Sequence, residues 1–275
     1  MSTSTPADQL IGADPEPIRP EGRTEWSLES ILANRRWVRR TEPFPHVVAQ
    51  NVFVEQFYAE LDDEFRRIEV EHPEAFQRNM TGYDASAADL ENFRDGPLGV
   101  FVSREWHDLV SAVAGVTTTG DVSGGLHHHE PGSASGWPHN DLNPGWFGDP
   151  PAGEHGIRLP SHGVIEYQKG TRAPDVEARE TIRAVSLLFY LGNPEWTPGD
   201  GGETGLFSSY DSAHLGPRAA AAPLNNSLVM FECTAFSLHA FLSNRVKPRN
   251  SAIMWLHRTK DEVLARWGEQ SIVTW

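Results

Sequence analysis

The stretch Gly132–Trp146, GSASGWPHNDLNPGW, decides how this chain is read. Within it stand His139 and Asp141, two positions apart. A second histidine, His239 in FSLHAFLSN, follows 98 positions after Asp141, and ten residues on is Arg249 in KPRNSAIMWLHR. Side chains alternate across a strand, so residues i and i+2 share a side. An extended segment would therefore aim His139 and Asp141 at one point and turn Asn140 away. A third group can then come from any other strand, so its distance in sequence is free. Two imidazoles and one carboxylate on one face of a metal leave the opposite face open, which suits non-haem Fe(II) and oxygen activation. The same donors also take Zn or Ni, because affinity alone does not select iron. Arg249 offers a planar fork that holds a carboxylate in two hydrogen bonds.

Working outward, the segments on either side change their period. Phe53, Phe57, Leu61, Phe65 and Ile68 recur at three- and four-residue spacing and predict an amphipathic helix over 52–68. Trp106, Leu109, Val110 and Val113 predict a second over 103–115. Later, RAVSLLFYL, NSLVMFE and NSAIMWLH are short apolar runs bounded by Gly, Pro and Asn, the mark of strands. Thr259 and Glu262 form a T-x-x-E capping box, so a short helix should open there. Helices first and strands later predict an α+β protein with a β-sandwich or jelly-roll core.

The chain resembles the iron(II)- and 2-oxoglutarate-dependent oxygenases, in the branch that holds prolyl 4-hydroxylases and many small-molecule hydroxylases. PFPHVVAQNVFVEQFYAELDDEFRRI (43–68) resembles the opening strand and helix of that family. HHHEPGSASGWPHND (127–141) resembles the turn into its H-x-D pair, and RAVSLLFYLGNPEWTPGDGGETGLF (183–207) its strand and Gly-Gly-Glu hairpin. The last block carries His239 with Arg249 and Ser251. The resemblance spans roughly 43–258 and implies a double-stranded β-helix, cupin-like, flanked by N-terminal helices. It implies Fe(II) on His139, Asp141 and His239, and 2-oxoglutarate anchored by Arg249 with Ser251 as a second donor. O2 is then consumed and succinate and CO2 released as a C–H bond is hydroxylated. Arg183 and Tyr190 lie on the strand similar to the one that lines the family's cosubstrate pocket, where Tyr190 either donates to 2-oxoglutarate or simply packs; after Arg249, Arg183 and Arg258 are next in line as the anchor. The related halogenases carry Gly or Ala where Asp141 stands, so the carboxylate points to hydroxylation. Two other readings stay open: a hydroxylase of protein side chains, and a non-catalytic metal-binding jelly roll.

One departure from the simplest members is the length between Asp141 and Arg183. Residues 142–182 are dense in Gly and Pro, and a long irregular stretch beside a metal pair reads as a lid. Its closed pocket would suit a small molecule, amino-acid-like or a natural-product intermediate, better than a protein. The three histidines 127–129 alternate faces, so His127 and His129 are read as strand residues near the pocket. Glu203 and Thr204 are explained equally well by the hairpin turn. Trp137 and Trp146 flank the metal pair, where they shape a pocket or fill a core.

Composition bounds the rest. At 275 residues with 39% apolar content, one elaborated oxygenase domain over 26–275 is expected, behind a flexible tail over 1–25 rich in Pro, Ser, Thr, Asp and Glu. The net charge of −15 argues against nucleic acid or an anionic membrane as partner. Cys233 is the lone cysteine, so no internal disulfide can form, in keeping with a reducing cytoplasm. No apolar run approaches the roughly 20 residues that span a bilayer, and no signal peptide is seen. The sequence leaves the oligomeric state open.

Overall fold

The computed structural model describes residues 26–78, 83–153 and 155–274. The tail expected over residues 1–25 lies outside the described residues. Eleven strands follow in chain order: β1 (Val38–Arg40), β2 (His46–Gln50), β3 (Ser86–Asp89), β4 (Val122–His129), β5 (Pro144–Gly148), β6 (Ala178–Tyr190), β7 (Thr204–Phe207), β8 (Ala219–Ala221), β9 (Ser227–Glu232), β10 (Leu238–Phe241) and β11 (Arg249–Thr259). Eight of them form a sheet ordered β1-β2-β9-β6-β11-β4-β3, with β5 paired to the start of β6. The other three form a small sheet, β10-β7-β8. All pairings between these strands are antiparallel. Two facing antiparallel sheets with helices on one outer face are the α+β jelly roll expected from the sequence.

The outer face of the large sheet carries the main core. Val185, Leu187 and Phe189 of β6, Ala252, Met254 and Leu256 of β11, and Leu228 and Met230 of β9 pack with two helices. The first helix, Glu55–Glu71, buries Phe57, Leu61, Phe65 and Ile68, four of the five periodic residues. The fifth, Phe53, is buried just before the helix. The second helix, Arg104–Ala114, is capped by the Ser103 side chain and ends at Gly115 in the left-handed region. Alternation then turns every other residue of the same strands inward, towards the small sheet.

The helix Lys260–Trp267 opens at Thr259, whose hydroxyl accepts from the Glu262 N–H. The capping box is only half made. Glu262 spends its carboxylate on Arg258 and Arg266 instead.

The segment 142–182 differs most from its expected form. It is not an irregular lid throughout: β5 extends the large sheet, and Ile157 and Leu159 enter the main core. Arg158 joins the edge of β4 through backbone bonds at Gly120 and Val122. Arg179 forks onto buried Asp121. Apolar side chains at alternate positions inside a Gly/Pro-rich stretch were the available signal, and the turn residues obscured it.

Candidate active site

One element of the site comes from the small sheet. His239 is the second residue of β10, and its ring packs at a tilt against Phe231 of β9, 4.7 Å between centroids. The GSASGWPHND segment runs antiparallel beside it. His139 N–H donates to the His239 carbonyl at 3.1 Å and the reverse bond is 2.9 Å. A bridge of this kind forces the two side chains onto one side, and the imidazole centroids lie 4.5 Å apart. Asp141, two residues on, brings its carboxylate 3.8 Å from His139 Nε2 and 3.6 Å from His239 Nε2. One donor atom from each of the three lies within 4.8 Å of the others.

Each member is held from behind. His139 Nδ1 meets the Trp137 carbonyl at 2.8 Å and His239 Nδ1 the Ser237 carbonyl at 3.3 Å. A carbonyl can only accept, so Nδ1 carries the proton and both Nε2 lone pairs face the centre. Asp141 accepts from the hydroxyl of Ser186 on β6 and, at 2.8 Å, from Trp255 Nε1 on β11. Burial alone would raise the Asp141 carboxyl. His239, Arg183, His139 and the Ser186 bond outweigh it and hold the group below the usual carboxylate range. Burial, then His239, lowers His139 to about 4. Near neutral pH the site therefore offers a neutral imidazole and an anionic carboxylate, the forms a divalent metal needs.

The second element lies along β6 and β11. Arg249, which opens β11, is 2% exposed. Its guanidinium donates to Ser251 Oγ at 2.9 Å and Thr204 Oγ1 at 3.1 Å, and its Nε is buried without a partner. Tyr190 bonds the same Thr204 hydroxyl at 2.7 Å, and its ring lies 5.1 Å beneath the guanidinium. Among the described residues no carboxylate makes an ion pair with Arg249. A buried cation without a counter-ion is costly, and the carboxylate end of 2-oxoglutarate would relieve it. The Gly-Gly-Glu hairpin closes over this end. Gly201 has φ +81°, a Cβ there would collide with the Ser243 carbonyl, and Gly202 rests on the Arg249 stem.

Arg183 reaches the cavity by a break in register. On β6, Val185 opposes Leu256 but Arg183 opposes His257, so Ala184 is an extra residue, a β-bulge. Without it Arg183 would share a face with Val185 and Leu187. With it, Arg183 joins Ser186, Leu188 and Tyr190. Its guanidinium lies 3.7 Å over the Trp255 ring and 3.5 Å from Asp141. Arg183 was read as a neighbour of Tyr190 at the cosubstrate end. It stands instead at the far end of the strand, with the triad between them.

One cavity, with internal room of about 120 Å³, is lined by the three triad residues, Arg249, Arg183 and Trp255. Thr204, His127, Tyr83, Asn143, Tyr167 and Thr274 are also among its walls. His127 lines it as expected, while His128 turns away to Glu69. His129 stacks on Phe241 at 3.8 Å, outside the triad. Thr204 proves to be a site residue rather than a turn residue only. Trp137 approaches His139, but Trp146 sits under Arg172, away from the cavity. Arg258, an alternative anchor, is committed to Glu232 and Glu262. Tyr83, Asn143, Tyr167, Trp255 and Thr274 were missed as site residues. They are ordinary residue types in loops or strand interiors, and only the fold brings them to one chamber.

Comparison with known proteins agrees with this geometry. Residues 162–257 match the model of the 2OG-Fe(II) oxygenase superfamily. That span holds His239 and Arg249; the H-x-D pair lies before it. No curated protein matches the sequence. Among solved structures, a Pseudomonas putida prolyl-4-hydroxylase superposes with TM-score 0.52 at 15% identity, over 78% of this chain and 92% of that one. A Trichoplax adhaerens prolyl hydroxylase, solved with a peptide fragment of the hypoxia inducible factor oxygen degradation domain, gives 0.53 at 14%, over 80% and 86%. The chain thus matches the 2OG-Fe(II) oxygenase model over residues 162–257 and has a fold similar to that of the prolyl 4-hydroxylases. The cofactors of that family are Fe(II), 2-oxoglutarate and O2.

Proposed function

We propose that this protein hydroxylates a C–H bond of a small molecule, with Fe(II) held by His139, Asp141 and His239. 2-Oxoglutarate is anchored by Arg249, with Ser251, Thr204 and Tyr190 fixing the guanidinium. The observation that carries the reading is the pairing, in one cavity, of the triad with a buried arginine that has no counter-ion among the described residues. Bound there, iron and 2-oxoglutarate supply the oxidising power, consuming O2 and releasing succinate and CO2.

The protein's own residues do the rest. The Nδ1 bonds point both imidazoles inward, and Ser186 and Trp255 stop Asp141 from rotating away. Arg183 and Trp255 form the wall beyond the triad, opposite the cosubstrate end. Tyr83, Tyr167 and Thr274 narrow the chamber and exclude water from it. Such walls favour a compact substrate, amino-acid-like or a natural-product intermediate, over an extended chain. Buried Cys233 and the absence of disulfides suit a reducing cytoplasm. No helix of the described residues is long and apolar enough to cross a membrane.

A panel of small metabolites, scored by succinate release above the substrate-free rate, tests the proposal. Stimulation by small molecules supports it. Stimulation by peptides alone would assign the chain to protein side chains. No 2-oxoglutarate turnover with iron under any condition would leave a non-catalytic metal-binding jelly roll.

A further inference from the structure

Asn143 has no part in holding iron or 2-oxoglutarate, yet its position is tightly fixed. Its backbone N–H donates to the Asp141 carbonyl at 2.7 Å, and its own carbonyl accepts from the Arg183 N–H at 3.0 Å. The residue is 5% exposed and lines the cavity. Both polar atoms of its side chain, Oδ1 and Nδ2, are buried without a hydrogen-bond partner. Each such atom is costly when left unmet. Buried polar groups are otherwise almost always satisfied, so a primary amide empty at both ends marks a place where something else binds.

The position says which molecule it meets. Arg183, whose main chain carries Asn143, precedes Tyr190 by seven residues on β6. At ~3.3 Å per residue the two are roughly 20 Å apart along the strand. Asp141, fastened to Ser186, stands between them. Asn143 therefore faces the wall away from the Tyr190–Thr204–Arg249 end, on the side left for the substrate.

We propose that Asn143 is a specificity-determining residue that reads an amide group on the substrate. Its Nδ2–H donates to the substrate carbonyl, and its Oδ1 accepts from the substrate N–H. This inference rests on the function proposed above and narrows it. A primary or cis (lactam) amide presents an acceptor and a donor side by side, the complement of a carboxamide, and in an extended peptide the N–H and C=O of one residue do the same. A ketone or ester meets only Nδ2 and leaves Oδ1 buried and bare. A carboxylate meets Nδ2 but sets its second oxygen against Oδ1. The donor–acceptor pair could belong to a free small molecule or to one residue of a peptide backbone, and the test separates the two.

The probes are 2-pyrrolidinone and γ-butyrolactone, a lactam and a lactone of nearly one shape. Binding is measured by ligand-observed NMR on the full protein loaded with Zn(II), a redox-silent stand-in, and saturated with 2-oxoglutarate. The wild type should prefer the lactam about tenfold, since only the lactone strands Oδ1. In Asn143→Leu, similar in volume but without polar atoms, the preference should vanish while 2-oxoglutarate binding is unchanged. Asn143→Ser replaces it if the leucine variant does not fold. Asn143-dependent binding of the nonapeptide (Gly-Pro-Ala)3 tighter than that of the lactam would support amide recognition and assign its source to a peptide. Equal binding of lactam and lactone to the wild type, or a lactam preference that survives both substitutions, would overturn the inference and leave Asn143 a water site. Failure of the Zn(II) protein to bind 2-oxoglutarate at all would instead overturn the reading of the site on which the inference rests.

Discussion

Replacing Arg249 by Met should leave the metal-loaded, ligand-free protein as stable as the wild type or more so, while abolishing its response to 2-oxoglutarate. The guanidinium is 2% exposed, has two hydroxyl partners and no carboxylate, and keeps a bare Nε. It is thus a buried charge whose cost is met only when an anion arrives. Replacing such a group by an apolar side chain of similar length is often neutral or stabilising. The anion loses more. A hydrogen bond to a charged group is worth ~1.5–3 kcal/mol, so affinity for 2-oxoglutarate should fall roughly ten- to a hundredfold. At a hundred times the wild-type Kd, the cosubstrate stabilises the wild type by ~2.7 kcal/mol. For a domain of this size that is about 5–10 °C in Tm. With Kd a hundredfold weaker, the same concentration gives only ~0.4 kcal/mol, about 1 °C. Differential scanning fluorimetry of the Zn(II)-loaded pair, with and without 2-oxoglutarate, reads both quantities. A full thermal shift in Arg249→Met would refute the assignment of the anchor.

Further consequences follow from other contacts. His139→Ala or His239→Ala should abolish Fe(II) binding in a direct titration, since two protein donors hold a labile ferrous ion poorly. Trp255→Phe removes the Nε1 bond to Asp141 but keeps a ring under Arg183, so metal affinity should drop about 10–100-fold in the same titration. Tyr167→Phe loses its bonds to Ser123 (2.8 Å) and His257 (3.2 Å), and should raise succinate release without product while 2-oxoglutarate binding holds. Burial, then Arg249 and Arg183, lowers His127 to about 3, and burial holds His257 well below its ordinary value. Both take up protons on unfolding below about pH 6.5, so stability is full above that pH and is lost progressively below it, for His127 down to about pH 3. Each contributes a slope of ~1.4 kcal/mol per pH unit, and denaturant unfolding of His127→Gln at pH 7, 6 and 5 should show a shallower fall than the wild type.

The legible part of the molecule was the part governed by local periodicity. Phe57, Leu61, Phe65 and Ile68 show their helix by spacing alone, and β6, β9 and β11 show as apolar runs. The triad was legible because i and i+2 on an extended segment must share a side. Thr204 and Asn143 were not, because their roles depend on what stands across a sheet. The side to which Arg183 points was not legible, since nothing in RAVSLLFY announces that Ala184 is an extra residue. The insertion was read as irregular because Gly and Pro dominate it, although Ile157 and Leu159 do core work between the turns.

The bulge at Ala184 also separates two jobs within one strand. Beyond it, β6 belongs to the jelly roll and carries Ser186, Leu188 and Tyr190 in a fixed count. Before it, β6 pairs with β5 and belongs to the insertion. A change of length upstream can be absorbed at the bulge without turning a residue of the metal or cosubstrate end. The turns of 142–182 outside the core residues Ile157 and Leu159 are therefore expected to tolerate exchange while the triad and Arg249 stay in place. Grafting those turns between proteins of this fold, upstream of Ala184, should leave the register of Ser186, Leu188 and Tyr190 intact.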